Sequence, residues 1–389
     1  MPITNSSSIL NEFEEQRKLV KYSVGDFPIG WIVEQYKLGK IKIPTYQRKF
    51  RWSKERQSKF IESILLGLPI PSIFLAKDAK DSRNKEIVDG SQRIRTLVGF
   101  MDDDLEFLSS KNIRKLKLTK LDRLKSINSL TYEQLPDDLK NELSDSFLRI
   151  NVLDTDISSE IKIQIFERIN NGSVELEPME KRAGIYSGLF IDFIYLELAQ
   201  KNSDKWDNIY KLSDGKKDKA LLEELILRAI AYSESVIGQD IPNYNGKPSI
   251  FFDNFCQEMN DGLDNNITQW ETKKRNLIQL FNKTLTFFEN NRWESGKSLL
   301  LKEVRTKYKA TNSWFEALFV GTMLAIKENT NLNVGNLITW ITSSEFRKVV
   351  SSDGANDKNK VIDRIFSVKK SLMGITIDTI KTSLLGEYR

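Results

Sequence analysis

The chain has 389 residues but no histidine and only one cysteine, Cys256. Without histidine it cannot assemble a Ser-His-Asp triad, a Cys-His dyad, a His-ligated zinc or a histidine-dependent nuclease centre. A lone cysteine excludes an internal disulfide framework and a Cys-rich zinc site, and fits a reducing cytoplasm. Any catalysis falls to carboxylates, Arg, Lys, Tyr, Ser or Thr, which narrows the search to Asp and Glu in unusual settings. Long hydrophobic runs are also missing. The most apolar helical stretch, Trp314 to Ile326, is shorter than the ~20 residues of a membrane span and carries Glu316. The opening MPITNSSSILNEFEEQ has no basic segment followed by an apolar run, so no secretory signal is expected and the chain is read as cytoplasmic. Neither sign of charge dominates: 59 basic against 54 acidic residues leave +5, which permits an anionic partner without demanding one.

What is present is enough apolar material, 40% of the chain, for real cores in two or three domains of ~100 to 200 residues. Residues 1–24 are polar and carry little structural signal. Trp31, Ile32, Tyr36 and Leu38 predict a short helix ending at Gly39, followed by the extended run Ile41 to Pro44. Ser53 reads as an N-cap for a helix with the stripe Phe60, Ile61, Ile64, Leu65 and Leu68, stopped by Gly67 and Pro69. Ser72 to Ala76 and Glu86 to Val88 suit buried strands, and the turn Asp89-Gly90 leads into a helix with Ile94, Leu97, Val98 and Met101 inward. Residues 102–146 form an excursion, read as a solvated basic helix or hairpin or as a tract that holds phosphates. Phe147 to Leu153 alternates as a half-buried strand, and Ser158 caps a helix with Ile161, Ile165, Phe166 and Ile169 on one face, ending at Asn170-Asn171-Gly172. From about residue 190 the pattern becomes long amphipathic helices around Leu221 to Val236, Leu277 to Phe288 and Trp314 to Ile326. The expectation is an α+β chain: a mixed-sheet domain over 25–190 and a mainly α-helical domain over 191–389.

Three segments carry residues suited to chemistry. Ile43 to Trp52 packs Tyr46, Gln47, Arg48, Lys49, Phe50, Arg51 and Trp52 ahead of a helix. Cations that hold phosphates alternate there with rings that stack on bases, and the same rings would also serve as core anchors beside a solvated basic face. In Val88 to Arg93 a carboxylate sits between a strand end and a helix start. That is a ligand-binding place in α/β folds, where Asp89 can activate a water and Arg93 can hold an anion, and it is equally the form of an ordinary Asp-Gly turn. The third, Phe166 to Gly172 followed by Glu180, Lys181 and Arg182, clusters Arg168, Asn170 and Asn171 at a helix end. It reads either as the polar wall of a pocket or as a glycine-terminated helix with a solvated charge pair.

The order and spacing of these segments, IPTYQRKFRW, GLPIPSIFL, EIVDGSQRIRTL and FERINNGSVELEPMEKRAGIYSG, resemble the N-terminal domain of GmrSD-type modification-dependent restriction systems, of the ParB/sulfiredoxin-like superfamily with its "DGQQR" motif. The resemblance covers roughly residues 25 to 190, and Asp218, Leu221, Glu224 and Arg228 look like the family's continuation. By position it implies that the motif falls on Asp89, Gly90, Gln92 and Arg93, its "YQR" element on Tyr46, Gln47 and Arg48, its "RIN" element on Arg168, Ile169 and Asn170, and later family positions on Glu180 and Arg182. Ser91 stands where the motif has its first Gln. Restriction members add a C-terminal HNH nuclease domain, which a chain without histidine cannot provide.

The resemblance thus implies bacterial antiviral defence against phages with modified DNA. One expectation is a stand-alone DNA glycosylase, similar to the Brig type that removes glucosylated hydroxymethylcytosine, with no cofactor. Asp89, Arg93 and Gln92 would then be catalytic, and the flipped nucleotide would meet Tyr46, Gln47, Arg48, Trp52, Gly90, Ser91, Arg168, Asn170, Asn171 and Arg182. Lys111, Arg114, Lys115, Lys117 and Lys120 belong to a run, 111–125, with seven basic residues against one acid, Asp122, and would hold the double-stranded DNA backbone. The alternative is a switch that binds or hydrolyses a nucleoside triphosphate with Mg and signals to a separate nuclease. A third is an inert reader of modified DNA.

Overall fold

A computed structural model of the chain describes residues 10–11, 13–15, 17, 21–44, 52–77, 83–111, 113–154, 177–210, 220–265, 267–304, 307–309, 311–328, 331–351, 354–376 and 378–380. The chain divides into two compact units, 1–176 and 177–389. The division falls ahead of the boundary near 190 expected from the change in periodicity.

The first unit is a five-stranded mixed sheet with helices. β1 (Tyr22–Pro28) runs into α1 (Ile29–Lys37), whose buried Ile29, Ile32, Val33 and Tyr36 recur at helical spacing, and Gly39 at φ 69° turns the chain into β2 (Ile41–Lys42). α2 (Lys54–Leu65) starts as expected at Ser53, whose hydroxyl accepts the Arg56 amide at 3.2 Å. β3 (Ile73–Lys77), β4 (Lys85–Asp89), α3 (Ser91–Met101), α4 (Leu105–Ser110), α5 (Asp137–Asp145) and β5 (Phe147–Leu153) follow. The sheet order is β1-β5-β3-β4-β2: β1 with β5 and β3 with β4 are antiparallel, while β3 with β5 and β2 with β4 are parallel. Ile73, Leu75, Ile87, Leu148, Ile150 and Val152 project from the sheet into one core with the inner faces of α1, α2 and α3.

β1 went unseen in the sequence because its outward Tyr22 and Val24 are exposed and its apolar alternation is weak. The excursion between α3 and β5 is neither a basic helix nor a hairpin. Past α4 the chain becomes an extended strap: Ile113, Leu116, Leu118 and Leu121 are buried, with Arg114, Lys117 and Lys120 exposed between them. The strap lies on α3 through the Leu116 amide to Gly99 carbonyl bond of 2.7 Å. A Cβ on Gly99 would stand 2.8 Å from the Arg114 carbonyl oxygen, so only glycine lets the strap approach. Local alternation anchored by aliphatics, not helical periodicity, is what the seven cations were riding on.

The second unit is mainly helical. It contains α6 (Pro178–Ile185), α7 (Leu221–Ser235), α8 (Pro248–Asn265), α9 (Ile267–Asn290), α10 (Gly321–Glu328) and α11 (Lys358–Leu372), with a widened π turn, Glu316–Val320, just before α10. Its centre is aromatic: Phe319 stacks on Phe315 at 4.9 Å and on Trp206 at 5.5 Å. Beside these helices stands a two-stranded ribbon, β6 (Lys302–Val304) with β7 (Lys307–Lys309), three residues a side and too short for a period to register in the sequence. No helix among the described residues is long and apolar enough to cross a membrane.

Candidate active site

β4 ends at Asp89, and the chain turns into α3 through Gly90 at φ 99°. A Cβ there would fall 3.0 Å from Ile73 Cγ1, so the turn needs glycine for its backbone and for its space. The β3-β4 ladder shifts register between Phe74 and Leu75, where Phe74 opposes Asp89. Arg93, one turn into α3, takes over at this frayed end. Its Nη2 donates to Asp89 Oδ2, and its Nη1 donates to the carbonyls of Pro71 and of Ser72, the latter at 3.1 Å. The guanidinium is therefore spent on the sheet end and one carboxylate oxygen. Asp89 Oδ1 takes no hydrogen bond among the described residues, and the Asp89 side chain is 28% exposed against 11% for Arg93. The pair is an oriented carboxylate with one free oxygen at the C-terminal end of a strand, beside a helix N-terminus.

Gln92 and Trp52 complete this neighbourhood. Gln92 Oε1 accepts the Trp52 amide at 3.2 Å, and Gln57 Nε2 donates to the Trp52 carbonyl at 2.8 Å. The indole packs edge-on against Phe60 at 5.4 Å, with the Arg56 guanidinium 4.8 Å from the ring centre on its outer side. Trp52 is thus a partly buried anchor fastening the start of α2 to α3. The structure brings Asp89, Gly90, Ser91, Gln92, Arg93 and Trp52 together. Tyr46, Gln47, Arg48, Arg168, Asn170 and Asn171 lie outside the described residues, as does the helix expected after Ser158.

The cations of the strap separate into two kinds. Lys115 is tied to Glu133 and to the Asp102 carbonyl, and Lys120 pairs with Glu55 at 3.1 Å. Lys111 sits over the Phe107 ring at 5.9 Å. Arg114, Lys117 and Arg123 are exposed and make no ion pair among the described residues. Arg123 is presented by a device invisible in sequence: Glu62 of α2 accepts the amides of Asp122 at 3.1 Å, Arg123 at 2.7 Å and Leu124 at 2.7 Å. Burial pushes the Glu62 carboxyl up, but these three amides outweigh it and hold it below the ordinary glutamate range.

Arg182 lies in the second unit, 4% exposed, inside a chain of alternating charges. Its Nε meets Asp253 and its Nη1 meets Glu224, both at 2.7 Å. Arg228 joins Glu224 at 3.0 Å to Glu316 at 2.6 Å, and Arg364 closes on Glu316. The three guanidinium groups balance three carboxylates, and Phe252 lies under Arg182 and Arg228. The residues that resembled a motif's continuation, Glu224 and Arg228, are members of this chain; Asp218 lies outside the described residues. Cys256 is fully buried and burial pushes its thiol up, which removes it as a nucleophile. Among the described residues no group of three or more Cys, Asp or Glu is placed to hold a metal ion.

Residues 29–187 match the family model of the GmrSD restriction endonuclease N-terminal domain. This segment is a GmrSD-type N-terminal domain. The match embraces β2 to β5 of the sheet but not β1, together with the Asp89-Arg93 pair and the strap, and its last residues, 177–187, fold in the second unit with Arg182. A GmrSD-type domain marks a component of a phage-restriction system, and the family is linked to restriction nuclease activity. No curated protein and no solved structure matches the chain.

Proposed function

We propose that the chain is a cytoplasmic anti-phage enzyme that excises glucosylated hydroxymethylcytosine from double-stranded phage DNA, with Asp89 as the catalytic carboxylate and no cofactor. The observation that carries the reading is the division of labour in the Asp89-Arg93 pair. The guanidinium is held by Asp89 Oδ2 and two main-chain carbonyls, so what the site presents to a ligand is chiefly the carboxylate oxygen that takes no hydrogen bond among the described residues. A fixed anion beside a ring oxygen stabilises an oxocarbenium-like state and orients water, and neither role needs histidine, thiol or metal. In the reaction water adds to C1′ and the C1′–N1 bond breaks with its electron pair on the departing base. The base takes a proton from solvent, and the proton lost by the water passes through Asp89 back to solvent. The target reaches the site by flipping out of the duplex, at an unstacking cost of a few kcal/mol. Ser91 and Gln92, which follow Asp89 in the chain, and Trp52, whose amide donates to Gln92 Oε1, are the described residues proposed to receive it, and Tyr46, Gln47, Arg48, Arg168, Asn170 and Asn171 complete the proposed lining. Arg114, Lys117 and Arg123 hold the backbone.

The rival reading is a switch that binds a nucleoside triphosphate with Mg and works with a separate nuclease. It requires a cation turned to the phosphates, and Arg93 gives three of its five donors to Asp89 and the sheet end. One experiment separates the two. Purified protein is expected to release free modified base from glucosylated phage DNA and to leave alkali-sensitive abasic sites. Triphosphate consumption without abasic sites would give the site to the switch.

A further inference from the structure

The second unit carries a groove of about 830 Å³ between the end of α7, the first turns of α9 and the end of α10. Two cations converge there on one acid. Lys327 Nζ lies 2.9 Å from Glu234 Oε1 and Lys273 Nζ lies 3.3 Å from Glu234 Oε2. Glu234 is the single acidic residue of the lining, so the groove keeps one net positive charge. Both lysine side chains are 38% exposed, against 19% for the glutamate; Lys327 also donates to the Ser233 carbonyl at 3.3 Å and Lys273 to Met259 Sδ at 3.7 Å, so each three-donor ammonium keeps one N–H for a ligand. Burial pushes the Glu234 carboxyl up, but Lys327 and then Lys273 outweigh it, so the acid stays charged and the lysines stay in place.

The rest of the lining has an order of its own. Thr268, Thr272 and Asn276 stand four residues apart on α9 and line one wall, and the Asn276 amide has no hydrogen bond among the described residues. Leu277 and Leu280 form an apolar floor. The space greatly exceeds one inorganic anion, whereas ligand pockets run from ~300 to 1,000 Å³.

We propose that this groove binds a phosphorylated sugar of mononucleotide size, its phosphate on Lys273 and Lys327 and its hydroxyls on Thr268, Thr272 and Asn276. A phosphate monoester has three oxygens, enough to bridge both ammonium groups and still accept an amide. The site is independent of Asp89: every residue in it belongs to the second unit, and it stands whether or not the chain cleaves glycosidic bonds.

The test is calorimetry on the full chain in phosphate-free buffer, with AMP, glucose 6-phosphate, adenosine and inorganic phosphate as separate titrants. Sub-millimolar binding of AMP or of glucose 6-phosphate is expected, with at least tenfold weaker binding of adenosine and of inorganic phosphate. Whichever of the two phosphorylated probes binds tells a nucleotide source from a sugar-phosphate source. Lys273→Gln with Lys327→Gln should weaken binding at least tenfold. Asn276→Ala, an exposed change that leaves the fold alone, should weaken it severalfold, and Asp89→Asn should leave it unchanged. Failure of both phosphorylated probes to bind overturns the proposal, as does binding that survives the double lysine change or is lost with Asp89→Asn.

Discussion

Arg93 grips Asp89, one helical turn behind it in the chain, and with the other arm of the same guanidinium holds the carbonyl of Ser72 at 3.1 Å. The acid is thereby aimed and the strand end is closed by one side chain. Two substitutions pull these roles apart. Asp89→Asn keeps a hydrogen-bond acceptor for Arg93 and removes the charge. Base release should fall by about 10² to 10³, the usual loss for removing one electrostatic stabiliser, with DNA affinity unchanged. Arg93→Lys keeps the charge but cannot fork. It should cost about 1–3 kcal/mol in urea unfolding from unsatisfied carbonyls, and lower activity as well. Wild-type base release from the Asp89→Asn protein would remove the acid from catalysis.

The elements that bury a periodic face were legible in the sequence. α1, α2, α3 and β5 announce themselves because Ile32, Ile61, Leu97 and Ile150 repeat at the spacing of their own secondary structure and all are buried. The turn at Asp89 was legible because an Asp-Gly pair between a strand pattern and a helix pattern has few other meanings. What Arg93 does there was not legible, since its partners are main-chain carbonyls at Pro71 and Ser72 that any sequence would supply. The same holds for Glu62, whose three ligands are amides of a loop sixty residues on. Lys115 and Lys117 look alike in sequence, and only the fold shows that Glu133 takes one and leaves the other.

Gly90 should resist replacement on two counts, its backbone conformation and its space. At φ 99° any L-residue is strained, and its Cβ would press Ile73 Cγ1 at 3.0 Å. Gly39 is the control, because it has φ 69° with no atom within 4 Å of an added Cβ. Gly39→Ala should cost about 1–2 kcal/mol from backbone conformation alone, and Gly90→Ala more, with loss of activity in the folded fraction. Equal unfolding midpoints for the two variants would show that Ile73 yields without cost.

The strap's cations make a prediction about salt. Each phosphate contact contributes about −0.9 to the slope of log affinity against log salt on duplex DNA. Arg114→Gln, Lys117→Gln and Arg123→Gln should each flatten that slope by roughly one, uniformly across DNA sequences. Lys115→Gln should leave the slope alone and lower thermal stability, because its ammonium belongs to Glu133 and the Asp102 carbonyl. A flattened slope for Lys115→Gln beside unchanged slopes for the other three would reverse the assignment and move the DNA path to another surface.

Arg182 matches the GmrSD family pattern by position, yet it sits in the charge chain of the second unit against Asp253 and Glu224, both at 2.7 Å, Ser249 Oγ at 3.4 Å and the Phe252 ring. A group so enclosed holds the unit together by satisfying Glu224, which would otherwise be a buried acid leaning on Arg228 alone. Removing one partner from a buried ion chain typically costs ~3–5 kcal/mol, because the charge left behind stays dehydrated. Arg182→Met should therefore lower the unfolding midpoint sharply while the folded fraction keeps its affinity for modified DNA. Pairing it with Glu224→Gln should recover part of the loss, since the orphaned carboxylate is gone. If Arg182→Met instead leaves stability intact and abolishes DNA binding, the arginine reads substrate and the charge chain opens to admit it.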